Sequence, residues 1–221
     1  MQTVKAGFEI LTPISEGGIK ELQHIEKIGR VCYKSEDKIT EDGESAKKFV
    51  SMLINNHHEA MLEHGVISVL FTVDRGVTHE MVRHRIANFA QESTRYCSYK
   101  QDKFGSEITY IDLEPGIKIE GKKDIDVSKI LSEWYQACVD AENHYMKMLE
   151  YGATPQIARS VLNNSTKSNI TITANCREWR HILNLRALGT TGKPHPQMVE
   201  VMKPLLEEFQ KRLPIIFDDL K

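Results

Sequence analysis

Residues 66–73 read Val-Ile-Ser-Val-Leu-Phe-Thr-Val, and this stretch decides what kind of fold the chain can adopt. It is β-branched and apolar, long enough for a strand and too short for a helix, so it predicts a buried strand over Val66–Val73. Its flanks keep a different rhythm. Ser45–Asn56 places Phe49, Val50, Leu53 and Ile54 on one helical stripe. Ile19–Tyr33 repeats Ile19, Leu22, Ile25, Ile28 and either Val31 or Cys32 at the same period. After the strand a short helix is predicted over Val77–His84, then an irregular polar loop over Ile86–Arg95.

Further out, Phe8–Ile14 reads as an opening strand, and Phe104–Leu113 as another ended by Pro115-Gly116. Gly121–Asp126 is a charged connection. Ile130, Trp134, Cys138, Ala141, Tyr145 and Leu149 mark a long helix closed by Gly152. Thr154-Pro155 restarts a helix, and Ile170–Thr173 alternates as a strand. Asn175 with Glu178 has the pattern of a capping box, opening a helix that runs to about Leu188. Pro196 opens a last helix that buries Val199, Met202, Leu206 and Phe209 and is expected to kink at Pro204. Helices and strands follow one another without a regular βαβ rhythm. The expected class is therefore α+β, with helices packed on a mainly antiparallel central sheet. With neither repeat nor linker, residues 1–221 are expected to form a single domain.

Composition narrows the function. A net charge of −2 excludes a generally basic nucleic-acid binder. No apolar run reaches the about 20 residues of a membrane helix, and the first residues lack a secretory pattern, so a cytoplasmic protein is expected. Cys32, Cys97, Cys138 and Cys176 are scattered without metal spacing or a disulfide framework; no metal is expected. The arginines cluster instead: Arg75, Arg83, Arg85 and Arg95 in one segment, Arg159, Arg177, Arg180 and Arg186 in another. Guanidinium is the better fork for phosphate and planar oxyanions, so the two clusters point to a pocket for a polyanionic small molecule.

The densest chemistry lies in Arg83–Tyr96, RHRIANFAQESTRY. Two arginines flanking His84 cannot be buried without anionic partners, and Ser93 and Arg95 add a hydroxyl and a further fork. A bare Arg-His-Arg is more often a solvated basic face. Here, however, Arg-His-Arg is followed after seven residues by Ser93, and that pattern resembles the defining motif of the flavin-dependent thymidylate synthases, the ThyX type. His58-Glu59-Ala60-Met61-Leu62-Glu63-His64 resembles the family's His-Glu-x-x-x-Glu-His element. Ala158–Leu162 resembles its second arginine motif, and Asn175-Cys176-Arg177 and Asn184-Leu185-Arg186 its closing pair. The four elements stand in the family's order between Cys32 and Met198.

The resemblance implies roles. FAD would be held by Arg83, His84, Arg85, Gln91, Asn175, Arg177 and His181. Ser93, Arg95 and Arg159, with Arg83, Gln91 and Glu80, would hold dUMP, and Arg186 would face the uracil ring as the catalytic residue, stabilising negative charge so that C5 becomes a better nucleophile. His58 and His64 would lie near the flavin or folate entrance. The implied reaction is reductive methylation of dUMP to dTMP by 5,10-methylenetetrahydrofolate, with NADPH recharging the flavin and no cysteine nucleophile. A homotetramer with shared active sites is implied, with neither nucleic acid nor membrane as partner. The chain departs from the family's usual residues at Glu80, Ala60, Asn163 and His181, and over Ala187–Lys193. Two other readings are a flavoprotein oxidase or reductase that has lost dUMP chemistry, and an RNA-binding module, which the acidic net charge disfavours.

Overall fold

The computed structural model describes residues 1–95, 99 and 107–221. In chain order the strands are β1 (Gln2–Val4), β2 (Gly7–Ile10), β3 (Val66–Asp74), β4 (Asn88–Gln91), β5 (Thr109–Ile111) and β6 (Lys167–Asn175). The longer helices are α1 (Ile19–Tyr33), α2 (Glu44–Asn55), α3 (Arg75–Met81), α4 (Glu114–Glu120), α5 (Val127–Glu150), α6 (Pro155–Ala158), α7 (Cys176–Leu183), α8 (Pro196–Arg212) and α9 (Pro214–Phe217). An antiparallel sheet in the order β2-β3-β6-β4 accompanies them, and β1 pairs in parallel with β5, Gln2 opposite Thr109. The class is α+β, as the sequence predicts.

The two long strands show how the sheet is specified. In β3, Ile67, Val69, Phe71 and Val73 are buried; in β6, Ser168, Ile170, Ile172 and Ala174. The other face is less buried and, apart from Val66 and Leu70, polar: the hydroxyls of Ser68 and Thr173 lie 2.7 Å apart, and Thr72 Oγ1 donates to Asn169 Oδ1 at 3.0 Å. A one-residue slip would exchange these faces, so the pattern fixes the register.

The chain divides into two compact units, each assembled from three segments. The first comprises Met1–Phe8, Phe71–Arg83 and Phe89–Thr171. Its core joins Ile108, Tyr110, Cys138, Tyr145 and Ala158, with the Tyr110 hydroxyl donating to the Cys138 carbonyl at 2.9 Å. The second comprises Glu9–Leu70, His84–Asn88 and Ile172–Lys221. Here Trp179 is fully buried, donates from Nε1 to the Ile67 carbonyl at 3.0 Å and meets Phe209 edge-on at 5.5 Å. Gly29 lets α1 approach α2: a Cβ there would fall 2.5 Å from the Phe49 ring.

Several elements differ from the sequence-based expectation. The strand expected over Phe8–Ile14 is Gly7–Ile10, because Thr12 turns its hydroxyl to accept from the Ser68 amide and Pro13 follows. The predicted loop Ile86–Arg95 contains β4, too polar to read as a strand. The helix predicted from Val77 begins at Arg75 because Asp74 caps it, accepting from the Val77 amide at 2.7 Å. Of the strand expected over Phe104–Leu113, residues 104–106 lie outside the described residues and β5 spans only Thr109–Ile111. Pro115-Gly116 does not stop the chain but sits in the first turns of α4, where a proline lacks no needed donor. At the end of α1, Val31 and Cys32 are exposed; Glu26 is buried instead, bonded to Arg30 and Ser45. In α8, Met198 rather than Val199 enters the core.

Candidate functional site

In the second unit, α7 is started by Asn175, whose Oδ1 accepts from the Glu178 amide at 2.8 Å. That cap leaves the Asn175 amide nitrogen for other partners. Arg177, His181 and Asn184 then follow at helical spacing along one face, and all three line a cavity of about 480 Å³. Glu59 and Glu63, from a short helical turn over Glu59–His64, line it too, with Ile86, Glu178 and Arg180.

Arg180 is committed to structure: buried, it grips Asp219 with two bonds of 2.6 Å and reaches Glu59 at 3.3 Å. Its hydrogen bond is the main influence holding the Asp219 carboxyl below the usual carboxylate range. Arg177 is different. It meets Glu63 at 2.6 Å, but both side chains are about half exposed. Such a surface pair is worth at most about 1 kcal/mol, so Arg177 can exchange its partner for an incoming phosphate at little cost.

Beyond Leu183 the helix widens into a single π-type turn over Asn184–Leu188, closed by Gly189 in the left-handed region at φ 71°. Turns of this kind displace side chains from the regular helical positions and recur at functional sites. The turn carries Arg186, whose Nε donates to His84 Nε2 at 3.1 Å. His84 is buried, its ring edge-on to His181 at 6.1 Å and its Nδ1 3.7 Å from Glu178. Burial first, then the Arg186 guanidinium and His181, pull His84 from 6.5 down to about 4. His84 is therefore a neutral imidazole with its proton on Nδ1, and its free lone pair receives Arg186. Burial raises the Glu178 carboxyl in turn.

In the first unit a cavity of about 340 Å³ is lined by Arg159, Ser160, Leu162, Asn163, Asn164 and Gln156, with Arg75, His79 and Thr94. Arg159 Nη1 donates to the Thr94 hydroxyl at 3.3 Å. The other residues expected here lie outside this lining. Gln91 is held by Thr78 at 3.0 Å and Ser168 at 3.1 Å; Ser93 accepts from the Arg95 amide at 3.3 Å. Arg83 and Arg95 are exposed and Glu80 is half-buried in the last turn of α3.

The model of the family described as thymidylate synthase complementing protein, Thy1, matches residues 19–215. The chain belongs to this family, that of the flavin-dependent thymidylate synthases. A flavin-dependent thymidylate synthase of Corynebacterium aurimucosum is 28% identical over 220 residues, covering 93% of this chain and 82% of the relative. That of Mycobacterium tuberculosis is 30% identical over 176 residues, covering 74% and 66%. Among solved structures, the UMP/dUMP methylase PolB from Streptomyces cacaoi, bound with 5-Br dUMP, superposes with a TM-score of 0.78. It is 22% identical, and the match covers 99% of this chain and 96% of that one, a likeness of fold.

Within the thymidylate synthase frame, three residues expected at the flavin, Asn175, Arg177 and His181, share one cavity, and His84 and Arg186 form one hydrogen-bonded pair. Arg85, His58 and His64 are exposed and stand outside the lining. Sequence reasoning missed Glu59 and Glu63, although both stand in the quoted His58–His64 element, and Asn184, whose spacing from Arg177 and His181 continues one helical face. It missed Arg75 and His79 as a pair because it began α3 two residues late.

Proposed function

We propose that this chain is a flavin-dependent thymidylate synthase that methylates dUMP to dTMP, with 5,10-methylenetetrahydrofolate as carbon donor and FAD, reduced by NADPH, as reductant. The observation that carries the reading is the family match over residues 19–215. The cavity of the second unit fits a flavin nucleotide: Asn175 offers an amide, His181 a ring, Asn184 a further amide, and Arg177 a fork released from Glu63 at low cost. Arg83, His84, Arg85 and Gln91 complete the proposed FAD set. When bound, the reduced flavin supplies the hydride.

The chain's own residues bind and polarise. Ser93, Arg95 and Arg159, with Arg83, Gln91 and Glu80, hold dUMP. Arg186 faces the uracil and stabilises the negative charge that develops there, its guanidinium held through Nε by the hydrogen bond to His84. His58 and His64 border the approach of flavin or folate. Two buried cysteines support a route without thiolate attack: burial pushes the Cys176 thiol up to about 12 and raises Cys138 as well, while Cys32 is exposed at the end of α1 and lines neither cavity. Cys97 lies outside the described residues.

A homotetramer in the cytoplasm completes the proposal. The 24-residue α5 supports the assembly, since only Cys138, Ala141 and Tyr145 of it are buried and Ile130 and Tyr135 stay exposed. Expression in a host that lacks its own thymidylate synthase tests the function in cells. Growth without thymidine is expected; a well-expressed, folded protein that leaves the host dependent on thymidine would overturn the proposal.

A further inference from the structure

Three carboxylates line the cavity of the second unit, and two of them are answered by arginines: Glu59 meets Arg180, and Glu63 meets Arg177. Glu178 is different. Its side chain is only 8% exposed, yet among the described residues no hydrogen bond reaches its carboxylate. Its place in the chain offers one. Glu178 stands three residues after the cap Asn175, and in a complete capping box its carboxylate would turn back to the Asn175 amide. Among the described residues only the first half of that box is made. Asn175 Oδ1 accepts from the Glu178 amide, while Glu178 Oε1 lies 3.7 Å from His84 Nδ1.

The ring it approaches has a fixed polarity. A guanidinium only donates, so the His84 Nε2 that takes Arg186 Nε at 3.1 Å presents a lone pair, and the proton of the neutral ring lies on Nδ1. His84 is buried, so that N–H needs an acceptor. The Glu178 carboxylate stands on that side, and a small rotation of either side chain closes the gap to the about 2.9 Å of a hydrogen bond. Burial raises the Glu178 carboxyl, and His181 opposes the rise, favouring the ionised acceptor. All three residues belong to the second unit.

We propose that Glu178 is a positioning residue: it fixes His84 with the proton on Nδ1 and, through the Nε2 lone pair so presented, aims Arg186. The assignment rests on the reading of Arg186 as the group that faces the uracil. Which imidazole nitrogen offers its lone pair is set by the bond the other nitrogen makes. In the opposite tautomer an imidazole N–H would face the Arg186 N–H, donor against donor. Arg186 stands in the π-type turn, off the regular helical positions, so its direction depends on what its side chain meets.

The test uses FAD-loaded protein labelled with nitrogen-15 histidine, and its E178Q and E178D variants, with H84Q identifying the His84 signals. Nitrogen-15 shifts distinguish a protonated ring nitrogen from one with a free lone pair. The wild type is expected to show a protonated Nδ1 and a bare Nε2; the reverse pattern overturns the proposal without any variant. In E178Q the glutamine amide can donate to Nδ1, so the proton should move to Nε2. FAD affinity should then hold, the dUMP dissociation constant should stay close to wild type, and kcat should fall by about tenfold to a hundredfold. E178D keeps a carboxylate and should restore the wild-type pattern and part of the rate. An unchanged His84 pattern in E178Q overturns the proposal; if FAD is lost as well, Glu178 is a flavin ligand instead. A moved proton with unchanged turnover overturns the link to Arg186. Should the wild type make no dTMP while the proton still follows Glu178, the tautomer assignment stands and the proposed reaction falls. A dTMP-forming protein whose His84 pattern ignores E178Q gives the reverse.

Discussion

Arg186 donates into a histidine that holds no proton at the receiving nitrogen, and both consequences are measurable. Arg186→Ala is expected to abolish turnover while FAD stays bound, because the arginine lies outside the flavin cavity lining. Loss of the flavin spectrum in that variant would contradict the role. His84 gives a pH dependence with a definite sign. The unfolded chain takes up a proton near 6.5, the folded chain only near about 4. The contribution is therefore fully present above about 6.5 and lost as pH falls toward 4, on the order of 2–3 kcal/mol. Urea unfolding from pH 7 to pH 4 should show that loss, and His84→Gln should flatten it; an equal slope in both proteins would contradict the assignment. The sequence makes Arg186 legible as a chemical group but not its partner. His84 and Arg186 stand 102 residues apart, and only packing brings them to 3.1 Å.

Elements with strong local signals were legible. Asn175 and Glu178 announce the start of α7, and the alternation of Ile170 and Ile172 a strand, because capping and side-chain alternation are local physics. Where long-range pairing decides, the signal fails. Asn88–Gln91 becomes a strand through its neighbour β6, the Glu92 amide donating to the Asn169 carbonyl at 2.8 Å, and not through propensity. The double duty of Asn175, cap and cavity lining, can be separated. Asn175→Ala should cost about 1 kcal/mol and lower the melting temperature by about 2–4 °C. Asn175→Asp keeps the capping oxygen but loses the amide donor, so stability should hold while FAD affinity falls. If both variants melt alike, the cap is not what Asn175 contributes.

At the scale of the whole molecule, the α+β class was legible because helical stripes and one strongly β-branched run coexist in a chain of this length. The assembly of each compact unit from three separate segments was not, since nothing local marks where the chain leaves one unit for the other. Light scattering on the FAD-loaded protein should give a mass of four chains; a monomer with full turnover would contradict shared sites. The most direct measurement is dTMP formation by purified protein supplied with dUMP, methylenetetrahydrofolate and NADPH, with FAD present and then stripped. dTMP that appears with FAD, disappears without it and returns on adding it back is the expected result. No dTMP from flavin-loaded protein, or dTMP formed equally well without flavin, would contradict the proposed function.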